Sequence, residues 1–305
     1  MFSAAVGGFI FGVPASASAN KKAIFGYGNN GVSPYVSMTN LVSNTGVVAT
    51  DTAGVGTARS ELAAAEYGTD KAIFGYGYTG SYVSMTNLVS NTGVVATDTT
   101  GVGTARRHLA AAGYGTDKAI FGYGEDGDGK ISITSKVSNT GVVANDTTGV
   151  GTVRSRLASA GYGADKAIFG YGLDASSNSV SMTNLVSNTG VVANDTAGVG
   201  TARFGLAAAG YGTDKAIYGY GSGPVSMTNL VSNTGVVATD TAGVGTARAN
   251  LAAAGYGIGT AIFGYGFTTV TVSMTNLVSN TGVVATDTTG VGTDRQRLAA
   301  ASYGS

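Results

Sequence analysis

Leu109-Ala110-Ala111-Ala112-Gly113-Tyr114-Gly115-Thr116-Asp117-Lys118-Ala119-Ile120-Phe121-Gly122-Tyr123-Gly124 decides the fold. Leu109 to Gly115 reads as a short apolar strand ending in glycine. Gly115-Thr116-Asp117-Lys118 has the chemistry of a tight hairpin turn, so Lys118 to Gly124 reads as a second strand. After a polar loop, Ile131 to Ser138 has the β-branched, period-two character of a third strand. Asn139-Thr140-Gly141 turns the chain again, and Val142 to Asp146 begins a fourth. No segment carries ten or more residues of helical apolar periodicity. The Leu-Ala-Ala-Ala run is too short to nucleate a helix alone.

The unit recurs. Ala-Ile-Phe-Gly-Tyr-Gly begins at Ala23, Ala72, Ala119, Ala167, Ala216 (with Tyr218 for Phe) and Ala261, at spacings of 45 to 49 residues. Each copy leads into Val-Ser-Met-Thr-Asn-Leu-Val-Ser-Asn-Thr-Gly-Val-Val-Ala or a variant, then Asp-Thr, Gly-Val-Gly-Thr, an Arg and the next alanine-rich strand. Six four-stranded units of about 48 residues predict an all-β, six-bladed propeller, in which sheets that cannot bury both faces alone pack face to face around an axis. Leu298–Gly304 has no second strand behind it, and Lys22–Gly28 has no first strand before it. The two are expected to pair and close the ring. Residues 21–305 then form one propeller, and residues 1–20 stand outside the repeat.

Composition narrows function by exclusion. The 305 residues include 50 Gly, no Cys, no Trp and one His, and 17 basic residues balance 17 acidic ones. Without Cys there are no disulfides, thiolate metal sites or cysteine nucleophiles. One His cannot build a multi-histidine metal site. Zero net charge without basic runs removes the electrostatic footprint of a nucleic-acid binder. No cofactor is expected. The apolar stretch Ala4–Val13 is too short to span a membrane, so no insertion is expected. It is followed by a signal-like Ala-Ser-Ala-Ser-Ala but preceded by no Lys or Arg. Residues 1–20 are expected to pack on the ring or, preferentially, on a neighbouring subunit.

Several motifs invite functional readings. Gly-Val-Gly-Thr recurs in every unit but lacks the Gly-Lys-Ser/Thr of a phosphate loop, so it reads as a connection between blades. Gly124 to Ile131 resembles a fragment of a calcium loop with Asp126 and Asp128 as candidate ligands, yet the first and twelfth ligand positions fall on Gly124 and Ser135. The recurring Arg59, Arg106, Arg154, Arg203, Arg248 and Arg295 read as structural. So do Asp51, Asp98, Asp146, Asp195, Asp240 and Asp287. A catalytic group is needed once, whereas a blade contact is needed every time. His108 stands where other units carry Glu61, Arg156, Gly205, Asn250 and Arg297, a tolerant position expected to be exposed. The units differ most between their second and third strands, with a second variable pair after each recurring Arg. Rigid sheets presenting varied loops suit binding, and the candidate contact residues are Asn29, Asn30, Tyr35, Tyr78, Tyr82, Glu125, Asp126, Asp128, Asp174, Asn178 and Phe267. An enzyme would need a unique polar cluster at the axis.

The series of Arg, alanine-rich strand and Ala-Ile-Phe-Gly-Tyr-Gly resembles a degenerate kelch repeat over about 285 residues. Gly-Tyr-Gly stands where the family has a double glycine, and the family's Trp is missing. The galactose-oxidase-like branch of that family implies a copper site with several His and a Cys-linked Tyr, which this composition excludes. The units are also similar to kelch-like repeats of bacteriophage tail and virion proteins. That resemblance implies a non-enzymatic virion component that docks on other virion proteins or itself through residues 1–20. It would meet a host-surface glycan or protein with its loops. The alternative expectation is a secreted or surface-displayed bacterial module that binds carbohydrate or protein.

Overall fold

The computed structural model describes residues 20–304, so all but one residue of the expected N-terminal docking segment lies outside the described residues. The described chain is all β. Its strands are β1 (Lys22–Gly28), β2 (Val36–Val42), β3 (Ala63–Tyr67), β4 (Lys71–Tyr78), β5 (Tyr82–Val89), β6 (Ala110–Tyr114), β7 (Lys118–Gly122), β8 (Thr134–Val137) and β9 (Ala158–Tyr162). Then follow β10 (Lys166–Gly170), β11 (Thr183–Val186), β12 (Ala207–Tyr211), β13 (Lys215–Gly221), β14 (Val225–Val231), β15 (Ala252–Tyr256), β16 (Thr260–Phe267), β17 (Thr271–Val278) and β18 (Ala299–Tyr303). They form six antiparallel three-stranded sheets. Five are consecutive triplets. The remaining sheet has the order β18-β1-β2, with Lys22 opposite Tyr303 and Gly26 opposite Ala299.

The expected fourth strand is not a strand. The segment after each Asn-Thr-Gly turn returns along the third strand but meets it only at isolated bridges, such as Val42↔Val48 and Thr39↔Thr52. Those bridges lie three residues apart on β2 and four apart on the returning segment. The extra residue is a bulge, which interrupts the ladder. It frees Asp51 to turn sideways and accept hydrogen bonds from Thr293.

Each sheet buries its faces against two others. Ala63, Ala65, Tyr67, Ile73 and Tyr76 of one sheet pack on Leu109, Ala119, Phe121 and Val137 at the next. Equivalent clusters join each successive pair, and a further one joins the β15–β17 sheet to the sheet of β18, β1 and β2. Large residues meet small ones across every junction. A Cβ placed on Gly26 would lie 2.8 Å from the Phe74 ring, one on Gly75 would lie 2.6 Å from Phe121, and one on Gly264 would lie 2.7 Å from Phe25. The first strands contact one another in the same circuit, from β18 to β3, β6, β9, β12, β15 and back. Alanine and glycine suit that crowding: a Cβ on Gly113 would meet the Glu66 carbonyl at 3.3 Å.

Candidate functional site: a variable face around a polar axis

The recurring arginines are fully buried and join neighbouring sheets. Arg59 donates from Nε to the Tyr76 carbonyl and from its terminal nitrogens to the Thr57 carbonyl and Asn87 Oδ1. Its guanidinium also lies 4.4 Å above the Tyr27 ring of the preceding sheet. Tyr27 sits at a bulge in the left-handed region, φ 65°, and its hydroxyl donates to the Val55 carbonyl at 3.1 Å. Arg106 finds Ser135 where other sheets offer Asn, and Ser135 hands the bond on to Asp146.

Gly-Val-Gly-Thr does bind an anion, but the anion is the protein's own. Thr57 donates its backbone N–H and its hydroxyl to Asp98, the latter at 2.6 Å, and Asn87 donates to the same carboxylate. The carboxyl of Asp98 is held below its usual range. Burial opposes this, and the bonds from Thr57 and Asn87 and the charge of Arg59 outweigh it. The latch recurs in every sheet, down to Thr293 on Asp51.

These frame elements place the two most variable segments of the repeat at one end of the sheets. The loop after each second strand pairs with the variable pair after each recurring Arg, as in Ser60↔Tyr78, Arg107↔Glu125, Ser155↔Leu173 and Ala249↔Phe267. At the axis the second members of those pairs form a closed circuit of backbone hydrogen bonds. The N–H of Glu61 donates to the Arg297 carbonyl, His108 to Glu61, Arg156 to His108, Gly205 to Arg156, Asn250 to Gly205 and Arg297 to Asn250, at 2.7 to 2.9 Å. All six residues have φ between 53° and 62°. The six residues line a cavity of about 80 Å³ together with leucines such as Leu62, Leu157 and Leu251.

His108 is therefore not the exposed residue expected from its tolerance. Its side chain is 9% exposed, with Nε2 3.2 Å from Glu61 and Nδ1 3.1 Å from Glu125. Arg107 reaches both carboxylates, Glu61 at 3.1 Å and Glu125 at 2.9 Å, and Arg297 approaches Glu61 at 2.7 Å. The His108 hydrogen bond is the largest cause that brings the Glu125 carboxyl down to about 2, against burial and with help from the charges of His108 and Arg107. Burial raises the Glu61 carboxyl, but His108, Arg297 and Arg107 together hold it below its ordinary value. The guanidinium of Arg107 lies 4.5 Å over the Tyr78 ring and 5.3 Å over Tyr82, and Tyr35 packs edge-on to Tyr78 at 6.2 Å. Tyr82 also borders an open groove of about 390 Å³ along the β5 edge.

The sequence-derived candidates thus divide. Tyr35, Tyr78, Tyr82 and Glu125 join the axial cluster through Arg107. The polar loop residues mostly cap their own turns. Asn29 accepts from the Gly31 N–H at 2.7 Å, Asn30 from Ser33 at 2.6 Å, Asp126 from Asp128 at 2.9 Å, and Asp174 from Asn178 at 2.9 Å. Asp126 and Asp128 gather no third acidic or His partner, and no group of three potential metal ligands occurs among the described residues. Phe267 forms the last rung of its hairpin opposite Thr271. Sequence reading noticed the second variable pair but singled out none of Glu61, Arg107, Arg156, Asn250 and Arg297 as binding residues. The available signal was that all of these except Asn250 carry charge in an otherwise charge-poor chain.

Compared with known proteins, the chain matches no family model and no curated sequence.

Proposed function

We propose that this chain is a six-bladed, kelch-like propeller acting as a non-enzymatic attachment or structural subunit of a phage particle. Its variable face would bind a host-surface glycan or protein. One observation carries the binding reading: the two most variable segments of an otherwise regular repeat lie together at one end of the sheets, around a polar circuit. The setting in a particle comes from the resemblance of the repeats to those of virion proteins. The circuit of sheet contacts supports the propeller, with three-stranded blades and a bulged fourth segment.

The axial cluster has the residue types of acid–base chemistry, yet its arrangement favours recognition. Both nitrogens of His108 face carboxylates, and those carboxylates are held by arginines. Ser155, beside this cluster in sequence, is fully buried, and its hydroxyl makes no hydrogen bond to a base. The axial cavity is smaller than the several hundred Å³ usual for a small-molecule active site.

Binding to arrays of bacterial surface glycans and to host cells tests the reading. Wild type should bind a defined subset. A variant with Tyr78→Ala and Tyr82→Ala should lose that binding while keeping its fold. Retained binding in that variant, or turnover of a captured ligand, overturns the proposal.

A further inference from the structure

We infer that the axial cavity is an anion site, with Arg156 as its principal donor, for a small oxoanion or the carboxylate of a larger ligand. The inference rests on the reading of the variable face as the binding face and names the chemical group it takes.

The cluster around the axis is not electrically balanced. Three guanidiniums, Arg107, Arg156 and Arg297, face two carboxylates, Glu61 and Glu125. Those carboxylates already face other cations, although Glu61 Oε2 is buried and accepts no hydrogen bond. Arg297 and Arg107 take Glu61, and Arg107 and His108 take Glu125. Arg156 has no hydrogen bond and no ion pair from its guanidinium among the described residues; the guanidinium lies 5.7 Å from the centre of the Phe204 ring. A half-buried guanidinium with five unused donors needs an acceptor, and planar oxoanions fit that fork.

The hydrogen-bond circuit sets where Arg156 stands on the rim. Arg156 and Arg297 occupy opposite positions of the six, with His108 and Glu61 between them on one side and Gly205 and Asn250 on the other. The two charges feel each other across the cavity: burial first, then repulsion from Arg297, lowers the Arg156 pKa below its ordinary value, against the attraction of Glu125 and Glu61. Gly205 leaves its arc of the rim without a side chain. About 80 Å³ of space accommodates a carboxylate or a phosphate-sized group, and not a whole sugar ring. A larger ligand would therefore insert its charged end and lie across the Tyr78 and Tyr82 shelf.

The test is isothermal titration calorimetry of the full chain at fixed ionic strength with inorganic phosphate, glucuronate and glucose. Phosphate and glucuronate should bind and glucose should not. A stronger response to glucuronate assigns the group to a larger ligand, and a stronger response to phosphate assigns it to a free ion. Arg156→Gly should weaken anion binding at least tenfold. That variant is expected to fold, because Gly205 holds the equivalent position at φ 62°. Lys215→Ala, which removes a cation at the opposite end of the sheets, should change nothing. No anion binding by wild type, or equal binding by Arg156→Gly, overturns the inference. If anions bind but no array glycan or host cell does, the attachment role fails and the anion site stands. If the arrays give a ligand whose capture survives Arg156→Gly, the anion site fails and the attachment role stands.

Discussion

The two ends of the sheets are built from the same strands and behave oppositely. At the turn end, Ser-Asn-Thr-Gly-Val recurs in all six sheets, down to the Ser43 hydroxyl 2.8 Å from that of Thr45 and its five counterparts. At the loop end, lengths run from three to seven residues and the tips hydrogen-bond mainly to themselves. The difference follows contact with the neighbouring sheet. Gly46 at a turn lies under the Tyr256 ring, where a Cβ would come within 2.7 Å, whereas nothing lies within 4 Å of a Cβ on Gly80, Gly127 or Gly129 at the loop tips. Sequence stays uniform where one sheet shapes the next and drifts where a segment touches mainly itself. The axial residues are the instructive exception, since they adjoin neighbouring sheets and yet take five identities over the six sheets.

Five substitutions would break or sharpen this contrast. The largest effect is expected for Arg59→Ala, which strips a fully buried cation from Asn87, two carbonyls and the Tyr27 ring. It should lower stability by about 3–5 kcal/mol in chemical denaturation. Arg248→Ala should match it, because Arg248 makes the same contacts; a large disparity would mean the frame is not equivalent around the circuit. Gly75→Ala should come next, at about 1–3 kcal/mol, since its methyl would strike Phe121.

Asp98→Asn should cost about 1 kcal/mol at neutral pH by weakening bonds from Thr57 and Asn87. It should also alter acid unfolding. Because the folded carboxyl titrates below its ordinary 3.8, its contribution is present above that pH and is lost as pH falls through the folded value. Stability curves for wild type and Asp98→Asn should therefore converge below pH 4; parallel curves would exclude the latch as an acid-sensitive element. The smallest effect, under about 0.5 kcal/mol, is expected for Val94→Thr, a residue 65% exposed at a turn. Nothing in the packing explains why valine recurs there. A larger loss would show that the turn end is held uniform by stability.

The architecture was legible because the chain writes the same sheet six times and leaves an unmatched strand at each end of the repeat. The fourth strand misled, because Val142–Asp146 has strand-like composition, and the single-residue bulge that turns Asp146 aside has no composition of its own. The axial cluster was hidden for a related reason. Glu61, His108, Arg156, Gly205, Asn250 and Arg297 share a backbone geometry, and side-chain identity at a left-handed position does not announce it. Their variety therefore reads as drift along the chain and becomes a rim only once the first strands are brought side by side. The loop candidates erred the other way: Asn29, Asp126 and Asp174 are ligand-like residues whose oxygens turn out to close their own loops.

Pairing between first and second strands has the same chemistry in all six sheets, but not the same chain entropy. In five sheets a turn of three residues joins the two strands, whereas β18 and β1 come together from ~280 residues apart. Loop-closure scaling makes that one encounter dearer by ~3–4 kcal/mol for identical contacts. The five hairpins can form early and locally. The last junction must wait until the others have bent the chain round, and under strain it is the first that thermal motion would release.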